Sequence, residues 1–128
     1  MTRTATRGMS ATLKAVVAAV KLVAAEEIMP RYLKVAHQRK SDGSLCTEAD
    51  TAAQTALTKK LQAILNVPVL GEEMPAGEQH AIWQSGNDGL WCIDPIDGTS
   101  NFVRGLPYFA VSVALLRNGK SLLGVVYD

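Results

Sequence analysis

The sequence predicts an α+β fold, with two N-terminal helices packed on a mainly antiparallel β-sheet. Three observations carry that expectation. Apolar residues recur at helical spacing through the first half of the chain and not afterwards. The second half consists of short apolar runs bounded by turn residues, the last two joined by Asn118-Gly119. And 48% of the 128 residues are hydrophobic, enough for one core. Helices first and strands afterwards argue against regular β-α-β alternation.

The first helix is expected over residues 10–29. Leu13, Val16, Val17, Val20, Ala24 and Glu27-Ile28 follow one stripe, with Lys14 and Lys21 off it. Ser10 is placed to cap this helix and Pro30 to end or kink it. Arg3 and Arg7 ahead of an Ala/Val-rich segment, with Val23-Ala24-Ala25 after it, also resemble a secretory leader. The lysines leave only residues 15–20 as an unbroken apolar run, shorter than the roughly 7–15 residues a leader uses, so a folded helix is expected.

The next stretch, up to Ser44, is basic and turn-rich around Asp42-Gly43-Ser44. A second helix is expected over residues 47–66, with Ala53, Leu57, Leu61, Ile64 and Leu65 as its stripe and Pro68 after its end. "VPVLGEEM" reads as a short strand ending near Gly71, and a short helix is expected around residues 78–84. "GLWCID" reads as a strand, residues 100–104 as a helical piece, and "PYFAVSVALLR" and "KSLLGVVYD" as a hairpin.

Composition excludes several classes. A net charge of +1 gives no general attraction to nucleic acid or acidic membranes. No run approaches the roughly 18 apolar residues of a membrane span. Two cysteines, Cys46 and Cys92, make no disulfide framework, and a reduced, cytoplasmic setting is expected. Cys92 reads as a small core residue, and Trp83 and Trp91 as packing residues. His37 and His80 lack ligand-like spacing and read as surface residues. Arg31, Lys34, Arg39 and Lys40 read as a solvated basic face.

Four carboxylates stand at the ends of expected elements: Asp50, Glu72, Asp94 and Asp97, with Glu73 as a fifth. Proline keeps Asp94 extended and offers a sharp exit from the strand. The turn can then bring Asp97 to the same side. Two anionic ligands with a backbone carbonyl between them suit a hard cation such as Mg²⁺. A lone D-x-x-D more commonly ends in two solvated aspartates, but Gly98-Thr99 directly after it weighs towards a site. Gly98 leaves room for a ligand at the backbone, and the N–H groups of Gly98, Thr99 and Ser100 form a candidate anion site. A capping role for Thr99 or Ser100 is compatible with this. The spacing fails the EF-hand pattern, and no P-loop occurs. Thr47-x-x-Asp50 fits a capping box, and Asp50 equally fits a carboxylate that orients a water; local sequence does not separate the two.

"WCIDPIDGTSNF", with "GEE" at 71–73 and "TEAD" at 47–50 upstream in the same order, resembles the motifs of the inositol monophosphatase family of Mg²⁺-dependent, lithium-sensitive phosphomonoesterases. The resemblance runs from the first helix to Asp128. It implies that residues 1–128 are the N-terminal metal-binding half of the sugar-phosphatase αβαβα fold, without the C-terminal α/β half. It implies that Glu72, Asp94 and the Ile96 carbonyl hold a first Mg²⁺ and that Asp94 and Asp97 contribute to a second, in a site of two or three ions inhibited by Li⁺. Catalytic roles fall to Asp50, Thr99 and Glu72, with Asp50 and Thr99 orienting the attacking water. Phosphate binding falls to Asp97, Gly98, Thr99 and Ser100. The implied partner is a small phosphorylated substrate, with no membrane or nucleic-acid partner, and related enzymes are commonly homodimers. The expected reaction is hydrolysis of myo-inositol monophosphate by the full-length parent. The alternatives are a 3′(2′),5′-bisphosphate nucleotidase, a histidinol-phosphatase, or a non-catalytic binding protein on this fold. The isolated chain is expected to be inactive, its final strand an exposed edge.

Overall fold

A computed structural model describes residues 2–32, 37–39, 45–72, 74–106 and 109–128, with the backbone alone for 2–8, 37–39 and 45–47. Helix α1 (Thr2–Val23) starts earlier than expected and carries Ser10 in its interior. Its buried stripe is Val16, Ala19, Val20 and Val23, while Leu13 is 38% exposed. Helix α1 leads into a π-helical turn, Ala24–Ile28, closed by Met29 N–H donating to the Ala24 carbonyl, and then a 3₁₀ turn, Met29–Arg31. Pro30 accounts for both changes: it lacks an N–H, and its ring crowds the carbonyl four residues back. Arg31 is drawn to Glu27 at 2.9 Å and Glu48 at 3.8 Å, so this member of the basic run is ion-paired. Lys34 and Lys40 lie outside the described residues, as does the Arg39 side chain.

Strands β1 (His37–Arg39) and β2 (Leu45–Thr47) pair antiparallel, a hairpin that the reading of this stretch as basic and turn-rich did not include. Helix α2 (Glu48–Ile64) follows at once and buries Ala49, Ala53, Leu57 and Leu61. Strand β3 (Val69–Gly71), helix α3 (Ala76–Ser85) and strand β4 (Leu90–Asp97) come next. Helix α4 (Thr99–Val103) leads to the hairpin of β5 (Ala110–Arg117) and β6 (Lys120–Tyr127). Its turn residues Asn118 and Gly119 both have positive φ, 52° and 74°, the twist a two-residue hairpin needs.

The α+β expectation holds. One four-stranded sheet has the order β3-β4-β5-β6. β3 runs parallel to β4, with α3 in the connection, so one β-α-β unit sits inside an otherwise antiparallel sheet. From Ala110 to Leu116, β5 alternates between half-buried and buried positions, as a sheet covered on one face requires. That face presents Val69, Trp91, Ile93, Val111, Val113 and Leu115 to α1 and α2. Trp91 is fully buried, and its indole N–H donates to the Leu65 carbonyl at 3.0 Å, tying the sheet to the end of α2. Cys92 points the other way and is half-buried, so it is not a core residue. Trp83 is 49% exposed, which corrects its reading as a packing residue. No helix among the described residues is long and apolar enough to cross a membrane.

Candidate metal and phosphate site

The acids meet at the C-terminal ends of the two parallel strands. β3 ends at Gly71, and Glu72 N–H donates onward to the Ile93 carbonyl at 3.3 Å, which puts Glu72 beside the second half of β4. β4 does not stop at Asp94 as expected. It continues to Asp97, with its register against β5 shifting between Asp94 and Asp97. That irregularity is where Pro95 fits, since a residue outside the ladder needs no N–H. Proline therefore sits in a bulge within the strand and not at an exit from it. Ile96 is buried, anchoring the bulge from below.

Gly98 follows in the left-handed region, φ 92° and ψ 39°, and turns the chain into α4. A side chain there would strain the backbone. No side chain caps α4, so neither Thr99 nor Ser100 plays that part. Instead Thr99 Oγ1 lies 2.9 Å from Asp50 Oδ1 and 3.1 Å from the Ile96 carbonyl. Phe102 is fully buried and packs against Tyr32 and Phe109 with ring centroids 5.5 Å and 5.1 Å away, which fixes α4 behind the loop. Ser100 is exposed.

Asp50 stands at the third residue of α2, the position a capping box assigns it, and is fully buried. Its bond to Thr99 spans 49 residues of sequence, a role that capping alone does not need. The Thr47 side chain lies outside the described residues, so the other half of the capping box does too.

The electrostatics couple Asp94 to the other carboxylates. Asp94 is pushed up to about 7, first by burial, then by a hydrogen bond and charge from Glu72, and then by the charges of Asp97 and Asp50. Asp94 Oδ1 is buried with no hydrogen-bond partner. Such an atom carries a desolvation cost that a cation would remove. Beside it, burial and the Asp94 charge raise the Cys92 thiol. Among the described residues, no group of three or more His, Cys, Asp and Glu side chains is drawn together tightly enough to hold an ion as it stands. The donor set nevertheless fits a hard divalent cation: carboxylates from two strand ends, one orphaned oxygen, and no soft ligand required. An open cleft of about 340 Å³ lies over Glu72, Asp94, Cys92 and Ser112 on the less buried face of the sheet. A larger groove, about 580 Å³, runs between the end of α1 and α2, away from these acids, and its lining includes Glu26 and Lys59.

The structure thus brings Asp50, Glu72, Asp94, Asp97 and Thr99 into one neighbourhood. Glu73 lies outside the described residues, as does the His37 side chain, and His80 is exposed on α3. Sequence reasoning passed over Gln79, whose side-chain amide donates to the carbonyls of Gly71 and Glu72 at 2.9 Å and 3.2 Å. One polar residue in a polar connection gives no local signal of that contact.

Comparison with known proteins agrees with the motifs. The family model described as the inositol monophosphatase family matches residues 9–128. The 3′(2′),5′-bisphosphate nucleotidase CysQ of Salmonella typhimurium is 42% identical over 93 residues, covering 71% of this chain and 36% of that protein. The Nus factor SuhB of Xylella fastidiosa is 36% identical over 91 residues, covering 70% of this chain and 30% of that one. The solved structure of an IMPase from Thermotoga maritima superposes with a TM-score of 0.68 at 30% identity, covering 98% of this chain and 44% of its own. The chain spans about a third of the length of the curated relatives it matches. A family match over residues 9–128, nearly the whole chain, establishes that the chain belongs to the inositol monophosphatase family.

Proposed function

We propose that this chain is the N-terminal metal-binding portion of a Mg²⁺-dependent phosphomonoesterase. The single observation that supports this reading best is the orphaned, buried Asp94 Oδ1 among the charges of Glu72, Asp97 and Asp50. Glu72, Asp94 and the Ile96 carbonyl hold a first Mg²⁺, and Asp94 and Asp97 contribute to a second. When bound, Mg²⁺ supplies Lewis-acid stabilisation of phosphate charge and makes a bound water more acidic. Two or three ions and inhibition by Li⁺ are part of the same reading.

The chain's own residues supply orientation and a path for the proton. Thr99 has one hydroxyl hydrogen, and the charged acceptor Asp50 holds it at 2.9 Å. The free lone pair of Thr99 Oγ1 can then accept a hydrogen bond from the attacking water. As that water's oxygen bonds to phosphorus in line, its proton moves through Thr99 Oγ1 to the Asp50 carboxylate, the ester P–O bond breaks opposite, and the departing oxygen takes a proton from solvent and leaves as the alcohol. Gly98 leaves the backbone open to the phosphate oxygens, which the amides of Gly98 and Thr99 meet, with Ser100 alongside.

The substrate is a phosphate monoester. Myo-inositol monophosphate is the substrate that the resemblance implies. The similarity to CysQ favours a 3′(2′),5′-bisphosphonucleoside as a second reading. The relative called Nus factor SuhB favours a third, a binding protein that keeps the site. All three are compatible with a cytoplasmic setting and a homodimer. Phosphate release from both substrate classes by the full-length protein, with and without Mg²⁺, separates them. Asp97→Asn is expected to lower the Mg²⁺-dependent rate sharply, because it removes a charged ligand. Undiminished turnover in that variant would remove the phosphatase reading.

A further inference from the structure

Glu72 is exposed, so packing does not hold its side chain, which meets Asp94 through a hydrogen bond. Its backbone, by contrast, is held on both sides. The peptide plane between Gly71 and Glu72 is fixed by Glu72 N–H donating to the Ile93 carbonyl at 3.3 Å and by Gln79 Nε2 donating to the Gly71 carbonyl at 2.9 Å. The next plane is fixed by the same Nε2 donating to the Glu72 carbonyl at 3.2 Å. Both partners are carbonyl oxygens, so the NH₂ side of the amide must face them. Two anchored planes define φ and ψ at Glu72, and those angles set where its Cβ points. Gln79 is itself placed by the first turn of α3, where its N–H donates to the Pro75 carbonyl at 3.0 Å. On the other side of the segment, Gly71 leaves room for Gln54 from α2. A Cβ at Gly71 would stand 2.5 Å from the end of the Gln54 side chain.

We infer that Gln79 is a positioning residue for the metal site: its amide clamps the Gly71 and Glu72 carbonyls and so aims the Glu72 carboxylate at Asp94. This rests on the reading of Glu72 as a metal ligand. Outer partners that orient a ligand typically cost about 10–100-fold in metal affinity when removed. Gln79 acts through the backbone of the ligand and not through its carboxylate, so the low end of that range applies.

The test is calorimetric Mg²⁺ binding to the full-length protein, with Gln79→Leu, Gln79→Lys and Glu72→Gln compared with wild type. Gln79→Leu, one atom shorter than glutamine and still branched, removes the donor and is expected to weaken Mg²⁺ binding about tenfold. Its Mg²⁺ requirement for activity should rise in parallel, while the substrate KM at saturating Mg²⁺ stays unchanged. Gln79→Lys restores a long donor and should recover most of the loss. In a Glu72→Gln background, Gln79→Leu should add nothing, because the residue acts through Glu72. Gln79→Ala, a strong helix former, carries the same prediction should the leucine variant not fold. Two results overturn the clamp: unchanged Mg²⁺ affinity in folded Gln79→Leu or Gln79→Ala while Glu72→Gln binds poorly, or an undiminished effect of Gln79→Leu in the Glu72→Gln background. Unchanged Mg²⁺ affinity in Glu72→Gln overturns the ligand reading, and the clamp falls with it.

Discussion

Along β4, residues 90–93 and residues 94–97 differ in register, charge and satisfaction. Leu90, Trp91, Cys92 and Ile93 pair without interruption against β5, and three of the four are buried apolar groups. Asp94 keeps that register, which then shifts before Asp97; the segment carries two acids and leaves a buried carboxylate oxygen without a partner. One strand thus anchors the fold with its first half and gathers charge with its second. Stability and chemistry come from adjacent residues but from different physical terms: apolar burial in one half, unneutralised carboxylates in the other. Substitutions in the two halves should therefore move stability in opposite directions.

The largest expected effect on stability lies in the first half. Trp91→Ala should cost about 3–5 kcal/mol in denaturant unfolding, through a cavity beneath α2 and loss of the bond to Leu65. Trp91→Phe should lose far less. Mg²⁺ affinity of whatever remains folded should not change; a specific loss of affinity would show that the two halves are not separable.

Thr99 links the halves to the helices and comes next. Thr99→Ala removes the donor to the fully buried Asp50 and should cost about 1–3 kcal/mol. Thr99→Ser keeps the hydroxyl and should recover both stability and phosphate release. Equal losses in the two variants would assign the effect to the methyl group.

A pH profile sharpens the contrast further. The Asp94 carboxyl stands at about 7 in the folded chain against an ordinary 3.8, so the folded state binds that proton more tightly. The stability this proton confers on the metal-free protein is present in full below 3.8 and is lost as pH rises through about 7. The wild type should therefore weaken relative to Asp94→Asn over that interval and run parallel to it above. Urea midpoints across the range would show this, and a flat difference would contradict it.

The smallest effect is reserved for the far end of the sheet. Gly119 has φ 74°, and Gly119→Ala should cost about 1 kcal/mol by thermal melting, with no change in Mg²⁺ affinity.

Much of this was legible in the sequence, and the failures have physical causes. The stripe of α2 was read correctly at Ala53, Leu57 and Leu61 because an uninterrupted helix keeps its period. In α1 the same method named Leu13 and omitted Ala19 and Val23, because small and flanking apolar positions also fit a broad stripe and only the packing partner selects among them. The β1–β2 pair was not anticipated: three residues such as His37-Gln38-Arg39 carry no alternation, and pairing is decided by the partner strand. The acids were legible by position, and Gly98 by its conformational freedom. The bulge at Pro95 was not, since proline reads locally as a terminator and only the shifted register of β5 reveals that β4 continues. Gln79 was invisible because its partners are backbone carbonyls, which any sequence supplies.

In the proposed site, Asp94 is held at a cost that a divalent ion relieves. Thermal melting of wild-type and Asp94→Asn full-length protein at pH 8, each with and without Mg²⁺, measures this directly. The expected result is that Asp94→Asn melts above the wild type when metal is absent, and that Mg²⁺ raises the wild type but not the variant. An Asp94→Asn protein that melts below the metal-free wild type and still gains stability from Mg²⁺ would contradict it.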